Sequence, residues 1–430
     1  MSKTLELINT ENKLPQSTTV VIIGGGIVGV SAALSLAERN IPVVLLEKGH
    51  VAGEQSSRNL GWIRKTSRHI DDIPLAIEAD KLWTNMSKRV GKDVGYKQSG
   101  IMFLAQNEAQ LATHQAWLTS VESLSLGSKM LSSQEINEYA PRGVGKWAGG
   151  VYTPSDGKAE PHLATSAIAN SAINKGATII QRCAVRSVIT AGGKVSGVMT
   201  EQGEIRCEQV LLATGVWSRR FLGNLGISYP TLPLICSALR TKPFNGPTDI
   251  AVGGPNFSFR KHDDGGYIIT QRARLDAPLT LDHLFVGHRY LKQLRTQGGA
   301  LDVSLGRYFL DDLALKRKWK NDQVSPFEKV RTLDPKANQS IVDEALTNLR
   351  EVWPLFKEAE IAETWAGCMD ITPDSNPVID TIDAVYGLTV AIGFSGHGFG
   401  TGPAAGMLAA DLVTNVKPIV DPKVYRFDRF

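Results

Sequence analysis

Cysteine is scarce. Cys183, Cys207, Cys236 and Cys368 are the only four in 430 residues, and no C-x-x-C joins them. That scatter lacks the spacing of a zinc site or a disulfide framework, so no resident metal is expected. Long apolar runs are missing too, since no stretch reaches the roughly 18 consecutive apolar residues of a membrane span. The opening MSKTLELINTENKLPQSTT holds no apolar signal core and reads as a short leader before the first strand. Charge of one sign is also lacking: 47 Lys and Arg stand against 43 Asp and Glu, a net +4, too little to argue for nucleic acid. The expectation is a cytoplasmic protein with reduced thiols and no integral membrane span. Its oligomeric state, a homodimer included, stays open.

What is present is a globular composition, 42% hydrophobic and 21% charged. The chain is too long for one compact core, so two connected domains are expected. The stretch that organises them is TTVVIIGGGIVGVSAALSLAERNIPVVLLE, Thr18 to Glu47. Val20 to Ile23 are unbroken, apolar and mostly β-branched, as suits a strand buried on both faces. Gly24, Gly26 and Gly29 then occupy the fingerprint positions of G-x-G-x-x-G, with Ile27 and Val28 between the last two. A helix with an apolar inner side follows, and a second strand, Val43 to Leu46, ends on Glu47. The first glycine makes the turn, the second lets a pyrophosphate approach the backbone, and the third lets helix pack on strand. The helix N-terminus favours the diphosphate, and the acid suits a ribose hydroxyl. A dinucleotide site is predicted.

Beyond Glu47, GEQSSRNLGWIR (53–64) is too polar for a core element and is expected to lie along the cofactor. Residues 72–90 have helical period. Gly95 to Leu104 reads as a strand hairpin, and Pro161 to Lys175 as a helix. Short runs around Ala191-Gly192-Gly193 and Gln202-Gly203 read as hairpins. Val210 to Gly215 is another apolar strand ending in glycine, so the nucleotide domain resumes there after an excursion. Ser258–Lys261 and Tyr267–Gln271 form a hairpin, residues 282–321 read as helical with a basic, solvated face at Lys316, Arg317, Lys318 and Lys320, and Asn338 to Leu355 as an amphipathic helix. Finally Leu388 to Ile392 leads into the glycine loop Gly393 to Pro403 and a helix from about Ala404. Its N-terminus can stabilise negative charge on a ring system.

Together GGGIVG, VLLATGVWS and TWAG…TPDSNPVID…GFSGHGFGTGP resemble the D-amino-acid-oxidase-like superfamily of FAD-dependent amine oxidoreductases over nearly the whole chain. EKGHVAGEQSSR and SPFEKVRTLD look closest to bacterial L-amino-acid deaminases and oxidases. The resemblance implies an α/β fold, a Rossmann-like FAD-binding domain (18–90, 151–225, 363–415) interleaved with a substrate domain on a large mixed β-sheet (91–150, 226–362). It implies FAD held by Gly24, Gly26, Ile27, Val28, Gly29, Glu47, Lys48, Ser56, Ser57, Arg58, Val185, Thr214, Gly215 and Trp217. Gly393, Gly396, His397, Gly398 and Gly400 match the loop beside the flavin pyrimidine edge. Arg272 matches the arginine that holds the substrate carboxylate, with Arg64 and Arg260 as competitors; Trp365 and His397 complete the candidate catalytic set. Trp62 and His397 differ from the deaminase pattern. The segment around Cys368 is similar to one that carries a covalent flavin in sarcosine oxidases, whereas Thr364-Trp365-Ala366-Gly367 resembles the non-covalent branch, which is expected here. The implied reaction passes a hydride from Cα of an amino acid to flavin N5, leaving an imine that water hydrolyses to a 2-oxo acid and ammonia. The acceptor is O2, giving H2O2, or a quinone. The alternative is a secondary-amine or D-amino-acid substrate.

Overall fold

The computed structural model describes residues 5–10 and 13–430. The first unit forms as expected: β1 (Val20–Ile23), α1 (Ile27–Glu38) and β2 (Val43–Leu46). At Gly24, φ is +111° and a Cβ would stand 2.3 Å from the Ala213 carbonyl oxygen. A Cβ at Gly29 would stand 2.0 Å from the Gly24 oxygen. Both positions admit only glycine. β1 and β2 lie within a six-stranded sheet ordered Val378–Thr381, Leu388–Ile392, Gln209–Leu212, β1, β2, Thr178–Ile180. Only the Val378–Thr381 edge is antiparallel.

Alternation along β1 feeds two cores. Val20 and Ile22 pack with α1 and the helices Pro161–Asn174 and Gly398–Val413. Val21 and Ile23 pack with a meander of Val185–Ala191, Lys194–Thr200 and Glu204–Arg206.

The second sheet is ten-stranded and mixed. Leu232–Thr241 pairs along almost its full length with Ile361–Ile371 on one side, and with Tyr267–Thr270 on the other. Next come Ser258–Lys261, Ala251–Gly253, Ile101–Ala105, Gly149–Thr153 and Lys129–Leu131. One face buries Leu104, Leu239, Phe259 and Tyr267 with residues of the helix Gln339–Val352 and Trp353. Boundaries drawn at 151 and 363 run through strands of this sheet.

Several local expectations differ from the structure. Gly95–Leu104 is not a hairpin: Ile101–Ala105 pairs with Gly149–Thr153 and Ala251–Gly253, both distant in sequence. Residues 282–321 hold short helices, Asp282–Val286, Leu291–Gln297 and Arg307–Leu313, and a strand, Leu301–Ser304. Gly287, Gly298, Gly299 and Gly306 interrupt any longer helix, and Lys316 to Lys320 lie beyond the last of them. The final helix begins at Gly398 and contains Pro403. Its glycines serve close packing, since a Cβ at Gly402 would meet Ile27 at 2.8 Å and one at Gly406 would meet Ser31 at 2.6 Å. Of the expected leader, residues 1–4, 11 and 12 lie outside the described residues, while Leu5 and Ile8 pack into the helix-side core. No helix among the described residues is long and apolar enough to cross a membrane.

A buried ion pair clasps the larger sheet to the start of the helix Pro161–Asn174. Arg260 donates to both oxygens of Glu160 at 2.6 and 2.7 Å, and also to the Leu60 carbonyl. Arg260 is therefore committed to structure and is not a carboxylate clamp for a ligand. His162 and His262 stack beside this pair at 5.2 Å, with Glu160 close enough to share an ion with them. Both of its oxygens already carry Arg260.

Candidate active site

A cavity of about 430 Å³ runs between the sheets. One end is built from the first unit. Gly24, Gly26, Ile27, Val28 and Glu47 line it. Gly26 precedes α1 in extended conformation, φ −77° and ψ 174°. The Ile27 amide donates to Ser56 Oγ at 2.9 Å. Glu47 accepts from the amides of Gly25 and Gly49, each at 2.7 Å. Burial raises the pKa of Glu47 against the opposing pull of Lys48 and these two amides. Lys48 lines the cavity with its ammonium wholly used, on Glu54 and the Val330 and Arg331 carbonyls. Val185, Thr214, Gly215 and Trp217 complete this part of the wall.

The 53–64 segment runs along the cavity, as its composition suggested. Ser56 and Arg58 line it; Ser57 is buried behind, its hydroxyl on the Glu54 carbonyl. Arg58 ties the segment to the second sheet through Asp334 at 2.6 Å and the Ala366 carbonyl at 3.0 Å. Trp365 does not line the cavity. Its indole donates to the Arg58 carbonyl at 3.0 Å, so it braces the wall and is not placed for catalysis.

Strand alternation decides the fate of Cys368. Gly367 and Met369 line the cavity, whereas Cys368 packs with Ile235 and Ala366 and lies 3.7 Å from the Tyr308 hydroxyl. Asp370, which the sequence did not single out, accepts from the Gly393 amide at 2.8 Å and from Gln55 at 3.0 Å. It fixes the glycine loop without Gly393 itself reaching the cavity. Gly396, His397, Gly398 and Gly400 do reach it, at the N-terminus of the last helix.

The opposite end is cationic. Tyr267–Thr270 is followed by Gln271, whose side chain accepts from the Arg272 and Ala273 amides and donates to Glu344. Arg272 is thereby turned into the cavity, over the ring of Phe103 at 4.6 Å. A Cβ at Gly253 would stand 2.3 Å from Arg272 Nη1, so glycine makes the room. Arg272 keeps accessible surface where it lines the cavity, while the protein packed around its guanidinium pushes its pKa down to about 10. Arg64 approaches the same ring at 5.5 Å, donates to the Thr66 carbonyl, and sits 3.2 Å from His397 Nε2. Burial, then Arg68 and Arg272, push Arg64 down to about 9. Both guanidinia stay charged at neutral pH. His397 is held well below the ordinary histidine range by burial and by Arg68 and Arg64, so its imidazole is neutral there. Arg68, Phe103 and Met369 were missed from the sequence. Arg68 carried one faint signal, Asp72 four residues on, its partner at 2.5 Å.

The family model for FAD dependent oxidoreductases (DAO) matches residues 19–412, and the chain belongs to that family. Among solved structures it is similar to the L-amino acid deaminase from Proteus myxofaciens, solved with anthranilate. That pair shares 32% identity and a TM-score of 0.95, over 99% of this chain and 96% of the other. The L-amino acid deaminase from Proteus vulgaris gives 30% and 0.93 over 99% and 100%. Among curated relatives, human mitochondrial dimethylglycine dehydrogenase is 24% identical over 427 residues, 96% of this chain but 44% of that protein. The chain thus spans less than half the length of that relative. By family the chain is an FAD-dependent oxidoreductase.

Proposed function

We propose that the protein oxidises an L-α-amino acid to a 2-oxo acid and ammonia, with O2 as acceptor. The observation that carries this reading is Arg272: it faces the cavity and has no carboxylate within salt-bridge reach among the described residues. A planar, permanently charged fork without a partner is a receptor for a carboxylate. Similarity to the two Proteus L-amino acid deaminases supports the handedness.

The opposite end fits FAD. Gly26 and the open end of α1 suit a diphosphate, and a Cβ at Gly26 would stand 3.2 Å from Ser56 Oγ, inside that cradle. Each Glu47 oxygen retains a lone pair for a ribose hydroxyl. The N-terminus of Gly398–Val413 offers its dipole to the ring system. Cys368 is turned away from the cavity, which supports non-covalent attachment. When bound, FAD would accept the two electrons of the Cα–H bond as a hydride and pass them on to O2.

The chain's own residues supply orientation. Arg272 holds the carboxylate, and Phe103 and Trp62, edge to face at 5.6 Å, wall the site. The Trp62 indole N–H is buried without a hydrogen-bond partner among the described residues. Each acid lining the cavity, Glu47, Glu54 and Asp370, already accepts from amide, indole, ammonium or carboxamide groups. A substrate amine that has already lost its proton to water needs no side-chain base, and none is assigned.

The test is Arg272→Ala assayed on the best amino acid. Loss of a charge-assisted pair costs on the order of 2–5 kcal/mol in substrate binding, so KM rises steeply while FAD content stays. An unchanged kcat/KM moves the clamp to Arg64. Turnover of sarcosine or D-amino acids with a quinone, and none of L-amino acids with O2, replaces the reading with the amine alternative.

A further inference from the structure

Five cationic side chains line the cavity, and they are not alike. Lys48 pairs with Glu54, Arg58 with Asp334 and Arg68 with Asp72. Arg64 and Arg272 have no acidic partner among the described residues. Their guanidinium carbons lie 5.5 and 4.6 Å from the centre of the same Phe103 ring, so the two are within about 10 Å of each other, within reach of one small molecule. The nearest compensation for Arg64 is spent: Asp72 is bound to Arg68, and Asp156 holds Lys65 and Thr66. His397, being neutral, adds none. Arg64 uses its donors on one carbonyl and one imidazole, which leaves N–H groups over. Two cations facing one cavity with no acid beside either repel each other: Arg64 is lowered by burial first and then by Arg68 and Arg272, while burial alone lowers Arg272.

One α-carboxylate neutralises one of these charges. We propose that the substrate carries a second carboxylate, and that Arg64 and Arg272 each hold one: an acidic α-amino acid such as glutamate or aspartate. The assignment rests on the amino-acid reading above, deepening it to a substrate class. It makes Arg64 a specificity-determining residue. A buried site built to receive a second anion rejects the neutral isostere, because the unmatched guanidinium stays uncompensated.

The holoenzyme is titrated with glutarate and with butyrate, following flavin absorbance and heat, and is assayed on glutamate and glutamine. Glutarate is expected to bind at least tenfold more tightly than butyrate, and glutamate to exceed glutamine at least tenfold in kcat/KM, mainly through KM. Arg64→Gln should cost glutamate at least tenfold more than glutamine, and Arg64→Lys should restore part of the difference. Butyrate binding as tightly as glutarate, or glutamine turning over as well as glutamate, overturns the proposal, and the wild-type comparison needs no variant to fold. Equal losses on both substrates in Arg64→Gln also overturn it. Glutarate selectivity without reduction of the flavin by any amino acid overturns amino-acid oxidation instead, and leaves the dicarboxylate site standing.

Discussion

Arg260 and Glu160 meet fork to fork, 2.6 and 2.7 Å apart, with no more than 1% of either side chain exposed. One stands on the hairpin of the larger sheet, the other just before the helix Pro161–Asn174. The pair joins the two halves that enclose the cavity. Arg260→Met leaves a buried carboxylate uncompensated and is expected to cost about 3–5 kcal/mol. The double variant with Glu160→Leu should regain most of it. Thermal unfolding of the three proteins checks this, and a wild-type midpoint for the single variant refutes it.

The cofactor cradle makes a second prediction. Gly26→Val places a branched side chain against Ser56, and Glu47→Ala removes the acid from the end of β2. Each purified variant should contain less FAD per chain than wild type by absorbance. Full occupancy in both would sink the cradle.

Flavin attachment is the third. With Cys368 packed against Ile235 on the far side of its strand, acid precipitation should leave a white pellet and release all the FAD. Cys368→Ser should keep its flavin. A pellet that stays yellow shows a covalent link.

The fourth concerns His397. Burial, reinforced by Arg68 and Arg64, puts its folded pKa below the ordinary 6.5. The unfolded chain takes that proton first, so this group withdraws stability as the pH falls below about 6.5. Ring 15N shifts should show a neutral imidazole at pH 6, in a signal that disappears in His397→Asn. An imidazolium at that pH would contradict the cationic environment described.

Much of the cofactor half was legible because its chemistry is local. Six residues from Gly24 to Gly29 contain the turn, the approach and the packing, and strand and helix flank them directly. The glycines of 393–406 misled for a related reason: close helix packing and loop geometry both select glycine, and sequence does not distinguish them. The cationic end was far less visible. Arg272 was found only through resemblance, since an arginine at a strand end is ordinary, and its position depends on Gln271, Gly253 and Phe103. Phe103 itself sits in an apolar run with no distinguishing mark. Trp365 was misplaced because motif adjacency says nothing about which side chains of a strand face a cavity. The Arg260–Glu160 clasp spans 100 residues of chain, and nothing local signals it.

The strand order of the parallel sheet has a consequence for biosynthesis. β1 lies beside Gln209–Leu212, which in turn lies beside Leu388–Ile392. β1 therefore waits for synthesis to reach residue 392 before its sheet is whole. At ordinary elongation rates that is on the order of 20–70 s, with apolar strand edges unpaired throughout. Late closure of such long-range pairings is slow even once the chain is released. Nascent chains arrested before residue 388 should thus fail to retain FAD, and the window in which chaperones protect this sheet should last until Leu388–Ile392 emerges.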